Sequence, residues 1–176
     1  MGESSALKKG LREGILDEIE NTLTSGFGKK EDLRALDKDL RDHCYSELMD
    51  LRHRWEKIYL NILESGQASL GRAFKDTIQT IDHLALLINR ADYGYAPLFD
   101  RVQKIEGDSL RKVLEYDKNI SDSLHKLSIE VDNLKESMKV TTWPLVQAYV
   151  DAINVDLKAI EDGWRNRMTV MKSNVE

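Results

Sequence analysis

Residues 31–64 read EDLRALDKDLRDHCYSELMDLRHRWEKIYLNILE, and their spacing decides the fold. Leu33, Leu36, Leu40, Cys44, Leu48, Leu51, Trp55, Ile58 and Ile62 recur every three or four residues. The mean step is about 3.6, the period of a straight α-helix. Polar and charged residues fill the opposite face. The run Glu31-Asp32, Arg34, Asp37-Lys38-Asp39, Arg41-Asp42 reads as a solvated face laced with weak ion pairs.

Toward the C-terminus, Glu64-Ser65-Gly66-Gln67-Ala68-Ser69 poses a choice. Gly66 suits a left-handed C-cap, with Ala68 or Ser69 opening a new helix. Alternatively the phase runs on through Leu70, Ala73, Thr77, Ile81, Leu84 and Ile88 as one helix over 31–91. The spacing and Gly66 together favour a break at Gly66. Residues 68–91 hold few charges, and Leu84-Ala85-Leu86-Leu87-Ile88 is apolar on every side. A helix of that kind is buried all round, either at the centre of a bundle or against a second subunit.

Before this pair, Leu7, Leu11, Ile15, Ile19 and Leu23 repeat every four residues. Ser4 or Ser5 would cap that helix, Gly10 and Gly14 weaken it, and Gly26-Phe27-Gly28 ends it. After the pair, residues 91–97 form a loop, and Pro97 stands where a helix wants its first residue. A stripe from Leu98 through Val102, Ile105, Val113, Tyr116, Ile120, Leu124, Leu127, Val131 and Leu134 to Met138 follows, with Ser109 as a polar exception. Thr141-Thr142-Trp143-Pro144 punctuates the next turn. The last stripe is Leu145, Tyr149, Ile153, Leu157, Ile160, Trp164, Met168 and Met171. No strand-like alternation occurs and no internal repeat aligns. The expectation is an all-α, elongated antiparallel bundle of three to five helices, near 3–24, 31–64, 68–91, 97–139 and 143–172. It forms a single domain over 1–176, in which 1–28 is the less stable N-terminal part.

Composition narrows the function classes. The 176 residues are 41% hydrophobic and 32% charged, with 26 basic and 31 acidic side chains. The resulting net charge of −5 is spread evenly, with no basic half, which excludes a dedicated nucleic-acid binder. One cysteine, Cys44, rules out a disulfide framework. The first 24 residues lack the apolar core of a signal peptide, and the longest apolar run is far short of the roughly 20 residues that span a bilayer. A cytoplasmic protein is the expectation.

Four histidines, His43, His53, His83 and His125, are the residues to test as metal ligands. Asp50/His53 and Asp122/His125 share an i, i+3 spacing that puts carboxylate and imidazole on one helix face, so two such pairs could clamp an ion. Their phase, however, lies away from the apolar stripes, so these weak candidates read as surface residues and no metal or other cofactor is expected. Cys44 falls on a stripe and reads as a small buried hydrophobe. No Gly-rich phosphate loop or hydrolase motif is present, so an enzyme is not expected. Trp55 and Trp164 read as core anchors. Tyr93, Tyr95 and Phe99 in the loop, with Leu84 and Leu87 on the apolar helix, are the candidate interaction residues.

The leading expectation is therefore a non-catalytic helical-bundle protein acting through protein–protein contacts, as scaffold, adaptor or self-assembling subunit, with a homodimer as its expected partner form. The alternatives are an elongated helical dimer bound peripherally to a membrane, disfavoured for want of a basic face, and a carboxylate/His metal-binding bundle.

Overall fold

The computed structural model describes residues 2–25, 30–90, 107–138 and 142–173. They form five helices and no strand: α1 (Gly2–Ser25), α2 (Lys30–Glu64), α3 (Ala68–Asn89), α4 (Gly107–Ser137) and α5 (Trp143–Ser173). The chain is all-α and packs as a bundle. The expected helix start at Pro97, the Gly26–Gly28 turn and the loop aromatics Tyr93, Tyr95 and Phe99 lie outside the described residues.

The break after α2 sits where the sequence placed it. Gly66 has φ 75°, a left-handed conformation that costs an L-residue about 1–2 kcal/mol. Its N–H donates to the Leu63 carbonyl (3.1 Å), and the Ser65 hydroxyl donates to the Ile62 carbonyl (2.7 Å). The last turn of α2 is thereby closed, and the chain reverses into α3. The start of α1 differs from expectation: helix already begins at Gly2, so Ser4 and Ser5 lie inside it rather than capping it. At the start of α5, the Thr142 carbonyl accepts from Leu145 and Val146, and Trp143 and Pro144 occupy the first two helical positions.

Two helical hairpins, α2–α3 and α4–α5, pack side by side. Within each hairpin the helices are antiparallel. Between hairpins the neighbours run parallel: Arg54 of α2 reaches Ser128 and Asp132 of α4, while Thr77 and His83 of α3 meet Asn154 and Glu161 of α5. The hairpins also share one core pattern. Cys44, Leu48, Leu51, Trp55, Ile58 and Ile62 correspond at one constant offset to Ile120, Leu124, Leu127, Val131, Leu134 and Met138. At that same offset Leu70, Phe74, Thr77, Ile81, Leu84 and Ile88 correspond to Val146, Val150, Ile153, Leu157, Ile160 and Trp164. The repeat lies in burial pattern and not in residue identity, which is why the sequence alone did not align it.

The steps of four and three in these rows are the heptad spacing that keeps a seam facing its partners. Trp55 anchors the α2–α3 hairpin by stacking on Phe74 (ring centroids 4.6 Å apart) and donating its indole N–H to the Phe74 carbonyl at 3.0 Å. α1 lies antiparallel along α4. Ile15 and Ile19 are buried there, and the ion pairs Arg12–Asp122 and Lys118–Glu20 stand at the edge.

Three readings of the core change. α4 buries Leu110 where the expected row passed through Ser109. α5 enters the core through Val146 and Val150, not through Leu145 and Tyr149. Leu145 is 49% exposed and Tyr149 only half-buried. The charged run of α2 is not solvated throughout, because Asp37 and Arg41 are buried while Lys38, Asp39 and Asp42 are exposed.

Candidate functional site

The most unusual chemistry lies inside the bundle. Asp37 of α2, Asp117 of α4 and Arg167 of α5 project from core-facing positions and meet. The Arg167 side chain is 1% exposed. Its Nε donates to Asp117 Oδ1, and its Nη2 donates to both Asp117 Oδ2 (3.1 Å) and Asp37 Oδ1 (2.7 Å). Arg41 pairs with the other Asp37 oxygen at 3.0 Å, so two buried cations balance two buried anions. The guanidinium also lies 4.8 Å from the Trp164 ring centroid, and its Nη1 contacts Met171 Sδ at 3.4 Å. Burial pushes the Asp117 carboxyl above the usual carboxylate range, and Arg167 opposes that push.

Buried Cys44 faces the same region. Burial, reinforced by the charge of Asp117, raises its thiol far above the ordinary value, which keeps it protonated and a poor nucleophile. The network sets two carboxylates against two guanidinium groups, and it ties α2, α4 and α5 together at one level.

Two surface features stand out among the described residues. One is a groove of about 650 Å³ between α3 and α5, lined by His83, Leu86, Leu87, Arg90, Trp164, Arg165, Met168 and Thr169. Leu86 is 45% exposed there, and the buried Trp164 indole N–H has no hydrogen-bond partner among the described residues. Arg165 is engaged by Glu161, which also stands 3.6 Å from His83. The other is the outer side of α5. Leu145, Ala148, Ala152, Val155 and Ala159 are all exposed and follow steps of three and four, a second apolar row on a helix whose first row fills the core. Val155, at 68%, is the most exposed large hydrophobic residue described.

The residues singled out in the sequence fall as follows. Leu84 is fully covered by this chain's own helices, and Leu87 is half-buried at the groove. Asp50, His53, Asp122 and His125 are all exposed. Asp122 accepts a hydrogen bond from Arg12, and among the described residues no group of three His, Cys, Asp or Glu side chains is arranged to hold a metal ion. Trp55 and Trp164 are core anchors, as read. Arg52 of α2 is held by Asp82 and Glu56, and Arg54 by Asp132 and Ser128. No helix among the described residues is long and apolar enough to cross a membrane.

The sequence reading missed the Asp37–Asp117–Arg167 network and the outer row of α5. For the network the signal was slight: Asp117 and Arg167 each stand next to the residue through which the stripe passes (Tyr116 and Met168), at the alternative helical step between Val113 and Ile120 and between Trp164 and Met171. No protein-family model, curated protein or solved structure matches this chain, so its functional reading rests on its own geometry.

Proposed function

We propose that this is a non-catalytic helical-bundle protein of the cytoplasm that works through protein–protein contacts, as a scaffold, adaptor or self-assembling subunit. The observation that carries the reading is α5, a helix apolar on two sides of which the bundle covers one. Exposed hydrophobic residues scattered singly are ordinary, but five apolar positions in heptad register along one helix form a continuous strip about 21 Å long. Such a strip is the shape that a partner helix covers.

The chemistry inside the bundle supports the same reading. Arg167 and its carboxylates are sealed from solvent, where they join helices and meet no substrate. The test is a photo-crosslinking side chain placed at Val155 in cells that express the chain, with the same group at the exposed Asn133 of α4 as control. A protein adduct specific to position 155 is expected. Equal or absent adducts at both positions would refute the reading.

A further inference from the structure

We infer that the outer face of α5 is the two-fold contact of a homodimer in which the α5 helices of two copies pack antiparallel. The inference rests on the reading of α5 as a contact surface and names what covers it. Leu145, Ala148, Ala152, Val155 and Ala159 make a seam whose three alanines let a facing helix approach to the short end of the ordinary 8–10 Å range.

The charges beside the seam select the occupant and its direction. Asp151, which accepts one hydrogen bond from Gln147 (2.8 Å) through Oδ1, and Lys158 are exposed on one edge of the seam, seven residues apart on the same helix. Their separation of about 10 Å along the axis is too large for them to pair with each other. In an antiparallel pair with its two-fold axis between Ala152 and Val155, Ala152 packs on the second copy's Val155 and Ala148 on its Ala159, and Leu145 comes beside its exposed Asp162 at the solvated end of the seam. Asp151 then faces the second copy's Lys158, and symmetry supplies the reciprocal pair. Sliding one helix by a heptad in one direction sets Asp151 against Asp151, and in the other direction Lys158 against Lys158. A parallel pair sets Asp151 against Asp156, which Lys126 and Glu130 of α4 already flank. Of these arrangements the first alone sets opposite charges together while Ala148, Ala152, Val155 and Ala159 pack on one another, and it needs no residue from any other protein. A single helix face about 21 Å long is smaller than a standard interface, so the dimer forms reversibly in the micromolar range or weaker.

Sedimentation equilibrium of the full chain from about 5 to 500 μM covers that range. Reversible monomer–dimer exchange is expected. Val155→Asp raises the dissociation constant at least about tenfold, because it buries an unpaired charge in the seam. Asp151→Lys and Lys158→Glu each weaken the dimer, and the doubly exchanged chain recovers it, a rescue that no intrachain contact can produce. Unchanged circular dichroism of these surface variants confirms that the fold is intact. A strict monomer over the range, or a double variant no better than either single one, overturns the inference. A strict monomer that still yields an adduct from position 155 to a different protein removes the homodimer and leaves the contact reading standing. Absence of both dimer and adduct removes both.

Discussion

Replacing Arg167 by Met tests how the bundle tolerates charge in its core. Arg167 supplies both hydrogen bonds that Asp117 receives within the network and one of those to Asp37, whereas Asp37 keeps its contact with Arg41. The substitution therefore leaves Asp117, about 5% exposed, as an anion facing apolar surroundings. Removing one partner of a buried pair costs about 3–5 kcal/mol, a large part of the 5–15 kcal/mol that holds a typical domain together. Adding Asp117→Leu removes the stranded anion and leaves Asp37 and Arg41 balanced. The double variant should then recover at least about 2 kcal/mol of that loss, as hydrophobic replacements of buried ion pairs commonly do. Urea unfolding followed by far-ultraviolet circular dichroism gives both values. A loss below about 1 kcal/mol for Arg167→Met, or a double variant as unstable as the single one, would refute the reasoning.

Three further outcomes follow from the same structure. Because burial holds the folded-state carboxyl of Asp117 above its unfolded value, the folded chain binds the extra proton between the two; stability contributed by this group falls as pH rises through that window. The stability of the wild type minus that of Asp117→Asn should therefore decline as pH rises from about 4 upward, and a difference that grows instead would show the Arg167 attraction to dominate. Cys44, buried with its thiol pushed up, should resist a thiol-reactive dye in the native state and react only as urea unfolds the chain; rapid native labelling would contradict its placement. Gly66→Ala should cost about 1 kcal/mol in thermal unfolding, whereas Gly10→Ala and Gly14→Ala, in open helix interior of α1, should each stabilise by about 0.5–1 kcal/mol. The same sign at all three glycines would be the contrary result.

The helices were legible because the rows in α2 and α3 are unambiguous: from Leu33 to Ile62, and at Leu70, Ile81, Leu84 and Ile88, the residues taken for core are core. α5 was harder for a physical reason. Leu145 and Val146, and Tyr149 and Val150, offer two apolar rows side by side, and periodicity does not say which row the bundle covers. The burial of Asp37, Arg41, Asp117 and Arg167 was hidden differently. Hydrophobic counting assigns every charge to solvent, and only the meeting of three helices supplies the counter-charges that let these residues stay inside. The seam on α5 escaped notice because alanines carry little weight in a stripe count, although their small size is what allows a second helix to come close.

Methyl nuclear magnetic resonance across a dilution series tests the account most directly. The methyl signals of Leu145, Ala148, Ala152, Val155 and Ala159 should shift together with concentration, while those of core residues such as Leu84 and Leu127 stay fixed. Shifts confined to another face, or no concentration dependence along α5, would contradict it.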